Sequence, residues 1–205
     1  MRTEGPWGRW EPADPAAVTA LFAVLAEPWW IAGGYAIECA VGRRLRDHGD
    51  IDVAVLRRDQ LVVQRVLAGW EWWAADPPGS LRPWRPGELL PFGVHDVWCR
   101  PGADRPWQIQ VMLEEDRDGY WECRRDRRVR RPIAALGNVS PAGIPHLALE
   151  VQLFYKAASP RPKDELDLVA ALPLLTAAQR RWLIDALALA HPGHPWCDRL
   201  SPPRQ

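Results

Sequence analysis

The chain has 205 residues, 47% apolar and 25% charged, the proportions of a soluble globular protein long enough to bury one core without staples. Lys plus Arg and Asp plus Glu each number 26, so the formal net charge is zero. That excludes a polybasic nucleic-acid coat and an acidic tail protein.

In chain order, Asp14-Pro15 is a helix start, with an N-cap acid and proline at the first helical position, and the helix runs on to Leu25 before Pro28. Trp29 to Ala32 reads as a short buried strand broken by Gly33-Gly34, and Tyr35 to Val41 as a helix ending at Gly42. Asp50 to Leu56 alternates and is β-branched, hence a strand. Asp59 is read as the cap of a helix ending near Gly69, followed by a strand from Trp70 to Ala74. Asp76 to Phe92 is a long Pro/Gly-rich loop, of a length that is often functional. Val94–Arg100, Trp107–Glu114 and Tyr120–Arg125 read as an antiparallel meander, Ser140–Pro145 as a linker, and His146–Ala157, Asp164–Leu175 and Ala177–Ala190 as helices, the last with a Thr176/Gln179 capping box. The fold class expected is α+β, a small mixed sheet with helices on one face and a C-terminal helical part. Residues 1–139 form the α/β core and 140–205 the helical part of the same compact unit.

No apolar run reaches the roughly 18 residues of a membrane span, and Met1 to Pro6 has no apolar h-region, so no signal peptide is expected. Cys39, Cys99, Cys123 and Cys197 never form CxxC, which fits a cytoplasmic chain with reduced thiols. The 13 Trp, against 3 Phe and 3 Tyr, point to an indole-heavy core or an indole-lined cleft.

The stretch from Trp29 to Val55 carries the chemistry. Asp50 and Asp52 share one face of a strand while Ile51, Val53 and Val55 share the other. Two hard oxygen donors so placed suit Mg²⁺, which keeps waters and takes further ligands from substrate phosphates. Gly33-Gly34 at the start of a helix lets phosphate approach the backbone N–H groups. A phosphate cradle beside a divalent-cation site is what nucleotidyl transfer requires.

On these residues, with Ala36, Ile37, Glu38, Gly42, Arg43, Arg46 and His48 between them, the chain resembles the polymerase-β-like nucleotidyltransferase superfamily. It is most similar to the small aminoglycoside 2''- and lincosamide nucleotidyltransferases, and it shares the Gly-Gly and acidic-pair core with AbiEii-type toxin nucleotidyltransferases. The motif covers about a quarter of the chain. The resemblance implies a Mg²⁺-dependent enzyme moving a nucleoside monophosphate from an NTP to a hydroxyl of a small molecule, an aminoglycoside or lincosamide antibiotic. It implies a third carboxylate beside the acidic pair, which takes the acceptor proton and joins Asp50 and Asp52 as metal ligand. Asp96 is preferred for it, with Gln110 and Glu114 as the alternatives; Gln110 there would leave the base missing. Arg43, Arg46, His48 and Lys156 are the expected phosphate contacts, and Trp84, Arg85 and Glu88 on the long loop the expected acceptor wall. Asp164 and Asp167 read as structural, Asp164 as a helix cap.

Two alternatives stand beside this reading. The run Arg124 to Arg131 would support an RNA acceptor, although a solvated strand edge is its commoner meaning. A nucleotide-binding member without catalysis is the other. His191, His194 and Cys197 are spaced as part of a zinc site but lack a fourth ligand nearby.

Overall fold

A computed structural model describes residues 3–5 and 7–201; part of the N-terminal stretch read above for a signal peptide lies outside them. Two strands, β1 (Thr3–Gly5) and β2 (Gly8–Trp10), make a small hairpin. There follow α1 (Pro15–Phe22), β3 (Trp29–Ile31), α2 (Gly33–Val41), β4 (Asp52–Leu56), α3 (Val62–Val66), β5 (Glu71–Ala74), β6 (Arg82–Pro83), β7 (Asp96–Arg100), β8 (Ile109–Arg117) and β9 (Tyr120–Glu122). The chain closes with β10 (Arg130–Pro132), β11 (Gly137–Val139), β12 (Pro145–Leu147), α4 (Leu149–Ala157), α5 (Pro162–Ala171), α6 (Ala177–Ala190) and α7 (Trp196–Leu200). The main sheet runs β11-β12-β3-β4-β8-β7-β5-β6, with β9 added to the far half of β8 and β10 to β9. It is mixed: β12·β3 and β4·β8 are parallel and the other pairs antiparallel.

Helix ends follow the local chemistry. Asp14 Oδ1 accepts the Ala17 N–H at 2.8 Å with Pro15 at the first position. Thr176 and Gln179 close a reciprocal capping box at the start of α6. Gly42 terminates α2 at φ +75°. Gly33 and Gly34 begin α2 rather than break β3.

Helices lie on both faces of the sheet, not on one. Ala54 and Leu56 pack beneath α2, α4, α5, α6 and α7, while Val53 and Val55 pack against α1 and α3. The reason is visible in β4, whose residues Val53 to Leu56 are all buried, as in a strand covered on each side. Asp59 lies in a 3-10 turn, Arg57–Asp59, and does not cap α3. The stretch read as a linker is the turn of the β11–β12 hairpin, which joins the sheet through His146 opposite Ile31. Among the described residues no helix is long and apolar enough to cross a membrane, and all four cysteines are free thiols.

The indoles build structure. Trp10, Trp98, Trp107 and Trp73 form a chain of edge-on rings with centroids 5.0, 5.7 and 6.3 Å apart, and the Arg100 guanidinium stacks 4.3 Å from Trp107. Trp84 folds the long loop into the core against α1 and α3, and its Nε1–H donates to Glu88 O at 2.7 Å. Truncating Trp84 to Ala should cost about 3–5 kcal/mol of unfolding free energy. Urea titration checks this, and a loss under 1 kcal/mol would contradict the packing role.

Candidate active site

A cleft of about 400 Å³ opens between the C-terminal end of β3, the start of β4 and the helices α4 and α5. Gly33, Gly34, Arg46, His48, Asp50, Asp52 and Lys156 all line it. Residues far apart in the chain, from Gly33 to Asp164, thus converge where a strand hands over to a helix. The handover is tight because Ala32 N–H donates to Asp52 O at 2.8 Å, binding the end of β3 to the start of β4. A methyl group on Gly33 would fall on Oδ2 of Asp52 and 3.2 Å from its Cγ, and the backbone there has φ +66°. One on Gly34 would come within 2.7 Å of His48 Nδ1 and closer still to Arg46 Nη2. Gly33, at positive φ, requires glycine, and a larger residue at Gly34 would have to displace the Arg46 and His48 side chains.

The Gly33 N–H, expected to face phosphate, donates instead to Gln152 Oε1 at 2.8 Å. Gly34 and Tyr35 are the other residues of that first turn, whose N–H groups have no intrahelical partner. Asp52 is half-buried, and burial, then the charges of Asp50 and Asp96, push its carboxyl up to about 7 against the opposing pull of Lys156 and Lys163. Such a carboxylate gains by meeting a cation. Among the described residues no group of three or more His, Cys, Asp or Glu is arranged to hold a metal by itself. The donors present for one are the Asp50 and Asp52 carboxylates, a set that needs substrate phosphates and water to complete the shell.

The loop before the acidic pair is braced from α2. Glu38 Oε1 accepts from Leu45 N at 2.7 Å and Arg46 N at 3.1 Å, and lies 2.9 Å from His48 Nε2. Arg46 Nη1 lies 2.9 Å from His48 Nδ1, and the Tyr35 ring stacks 4.0 Å from the imidazole. Burial lowers the His48 pKa, with Glu38 opposing and Arg46 assisting. His48 is therefore a brace behind Gly34, its Nδ1 beside Arg46 and its Nε2 close to Glu38.

Lys156 is buried and held by Asp164 at 2.9 Å and Asp167 at 2.8 Å, and Asp167 also takes Arg46 at 3.2 Å. Asp164 sits in the first turn of α5 and accepts from the Arg161 N–H at 3.0 Å, so the N-cap residue is Arg161 and Asp164 is the returning member of the capping box.

Several expected site residues are not brought to the cleft. Asp96 lies on β7, with β8 between it and Asp52, about 10 Å across the sheet by strand spacing. It accepts from Gln110 Nε2 at 3.3 Å. Gln110 itself stands directly opposite Asp52 on β8. Glu114 is buried, accepting from Trp121 Nε1 at 2.7 Å and from the Tyr155 hydroxyl. Arg43 faces a separate hollow beside Tyr35, Cys39 and residues 140–142. Trp84 is in the core on the far face of the sheet and Glu88 pairs with Arg82 at 2.8 Å, so neither lines the cleft, and Arg85 does not either. No tryptophan lines the cleft.

The basic run disperses. Arg131 is held by the buried Glu150 at 2.6 Å, Arg128 by Asp126 at 2.6 Å, and Arg127 and Arg130 lie over Phe92 and Tyr120. Only Arg124 and Arg125 of that run reach the cleft. His194 Nδ1 accepts the Trp196 N–H at 3.1 Å, and the HxxHxxC spacing yields no metal group among the described residues. Sequence reasoning missed Gln152, Arg124, Arg125, Arg161 and Lys163 in the cleft. For Gln152 a signal existed: Gln152, Tyr155 and Lys156 form a polar stripe at helical spacing on a helix whose other residues, Glu150 apart, are apolar.

The order of strands, the glycine-opened helix start and the acidic pair define a small nucleotidyltransferase. The sequence profile of the aminoglycoside-2''-adenylyltransferase family matches residues 16–171, and the chain belongs to that family. No curated protein matches it closely. Among solved structures the fold is shared with the lincosamide antibiotic adenylyltransferase LnuA bound to lincomycin, at 16% identity over 76% of this chain and 92% of that one, TM-score 0.51. It is shared also with the solution structure of the antibiotic-resistance factor ANT(2'')-Ia, at 21% identity over 84% and 88%, TM-score 0.53. The crystal structure of ANT(2'')-Ia with adenylyl-2''-tobramycin gives 18% identity over 83% and 93%, TM-score 0.50.

The buried ion cluster carries a pH signature. Burial raises the Asp164 carboxyl, and the bonds from Arg161 and Lys156 more than reverse this, holding it at about 2 against the usual 3.8. Its stabilisation is complete above about pH 4 and is lost as the pH falls through about 2. Asp164→Asn should therefore lower stability at pH 7 by roughly 2 kcal/mol and flatten the acid limb of the stability profile. Thermal melts from pH 7 to pH 2 check both, and equal losses at pH 7 and pH 2 would contradict it.

Proposed function

We propose that this nucleotidyltransferase moves a nucleoside monophosphate from an NTP to a hydroxyl group of a small molecule. The observation that carries the reading is the contact between the Asp52 carboxylate and the glycine start of α2, in a cleft floored by Lys156 and Arg46. Phosphate oxygens would meet the first-turn N–H groups and the positive end of the helix. Asp50 and Asp52 would hold Mg²⁺, which when bound supplies charge neutralisation on the triphosphate. Lys156 and Arg46, fixed by Asp164 and Asp167, keep positive charge at the same pole.

Asp96 is the proposed proton acceptor: it lies outside the cleft lining, across β8, but near enough for its charge to raise the Asp52 carboxyl, so the acceptor hydroxyl would have to reach over β8 to meet it. The acceptor oxygen attacks the α-phosphorus, its proton passes to the Asp96 carboxylate, and the α–β bridging bond breaks to release pyrophosphate. The Gln110 amide orients that carboxylate through the bond to Oδ1. A second reading, nucleotide binding without transfer, draws on Gln110 being the residue opposite Asp52.

Calorimetry with ATP or GTP and Mg²⁺, followed by pyrophosphate release over a panel of hydroxyl acceptors, separates the two. Wild type should bind nucleotide only with Mg²⁺, and Asp50→Asn should weaken binding about tenfold or more. Asp96→Asn should leave nucleotide affinity intact and lower turnover by about 10²–10⁴-fold. Full turnover in Asp96→Asn would remove its role; tight binding with no pyrophosphate release would favour the second reading; no nucleotide binding would overturn both.

A further inference from the structure

The Gly33 N–H, the first donor of α2, is taken by Gln152 Oε1 at 2.8 Å. An N–H can only donate, so the atom facing it is the amide oxygen, and that contact fixes which way the Gln152 amide is turned. Its Nε2 is left with two N–H groups. Among the described residues Nε2 makes no hydrogen bond, and it is not one of the buried polar atoms sealed away without a partner. Gln152 is only 5% exposed, yet it lines the cleft beside Gly33, Gly34, Asp52 and Lys156. A nearly buried amide thus stands between the helix start and the cleft with its donor side free.

The cationic donors of the buried cluster are already engaged. Lys156, one turn further along the same face of α4, is held by Asp164 and Asp167, Arg46 by Asp167 and Arg161 by Asp164. A phosphate entering beside them meets in Nε2 a neutral donor that needs no ion pair broken. An amide whose oxygen accepts one bond donates the more strongly through its nitrogen. Neutrality suits the place. The Asp52 carboxylate occupies the space beside Gly33, and a carboxylate at residue 152 would add a like charge to it. An apolar residue at 152 would match most of the helix but leave the Gly33 N–H without its acceptor.

We infer that Gln152 is a nucleotide-contacting residue: Oε1 keeps the Gly33 N–H while Nε2 donates to an oxygen of the triphosphate, so the row of donors at the start of α2 is carried on by a side chain from α4. The inference rests on the proposed transfer for the presence of a triphosphate. In the competing arrangement phosphate displaces Gln152 and takes the Gly33 N–H itself; it uses the same residues and gives opposite results.

The test is calorimetry with Mg²⁺ and α,β-methylene-ATP on wild type, Gln152→Met and Gln152→Glu, with NMR of the Gln152 side-chain NH₂ and the Gly33 amide in wild type. Met keeps the length and loses both hydrogen-bonding atoms; Glu keeps an acceptor for Gly33 and loses the donor. Both variants should bind the analogue about tenfold or more weakly. In wild type the Gln152 NH₂ protons should shift downfield and exchange more slowly on binding, while the Gly33 amide hardly moves. Affinity in Gln152→Met equal to or above wild type would overturn the inference, since removing a competitor would have freed the Gly33 N–H. So would wild-type affinity in Gln152→Glu, which would leave only the acceptor needed, or a Gly33 amide that shifts downfield while the Gln152 NH₂ does not. The NMR arm needs no variant and decides the question if either substitution prevents folding. Absence of nucleotide binding in wild type would sink the transfer reading as well, whereas binding with an unresponsive Gln152 NH₂ would sink this inference alone.

Discussion

The carboxylate of Asp52 occupies the space that a side chain at residue 33 would fill. That single close approach depends on β3 and β4 being joined to their last residues, through the bond from Ala32 N–H to Asp52 O. It depends equally on α2 starting without any intervening loop. A strand, a helix start and an acid are thereby fixed within a few ångströms, where a helix dipole and a carboxylate pair present opposite charge to one ligand. Burial, then the charges of Asp50 and Asp96, make the ionised Asp52 costly, and its carboxyl is pushed up to about 7. A site of this kind is matched to a substrate that brings both cation and anion.

Around it the fold spends buried charge to hold the C-terminal helices in place. Asp164 and Asp167 on α5 clasp Lys156 on α4 and Arg46 from the loop before β4. Gln152, one turn before Lys156, reaches the Gly33 amide. The helical part thus completes the cleft floor, and α2, α4 and α5 meet around the same few polar groups. Each buried member has two partners, so without Lys156 the acids Asp164 and Asp167 would still hold Arg161 and Arg46.

Much of this was legible in the chain. The Asp14-Pro15 start, the Thr176/Gln179 box and the Gly42 stop are local signals with local causes, and they appear where expected. The glycine pair and the acidic pair were legible because spacing alone puts them at adjoining ends of neighbouring elements. Strand order was not legible. Nothing near Asp96 or Gln110 tells which of them sits on the strand beside Asp52, because that is set by the parallel β4·β8 pairing over more than fifty residues of intervening chain. Trp84 misled for a related reason: a Pro-rich loop looks solvent-facing, but long-range packing against α1 and α3 draws its indole into the core. The basic run looked like one surface because its residues are consecutive, whereas the turn and β10 send its arginines to different partners.

The proposed transfer requires the triphosphate and its metal to sit between Asp52 and the glycine start of α2. Mn²⁺ added in trace to the protein–NTP complex should sharply enhance ³¹P relaxation of the bound phosphates, and Asp52→Asn should abolish that enhancement at matched nucleotide occupancy. Enhancement of the same size in Asp52→Asn would contradict the account.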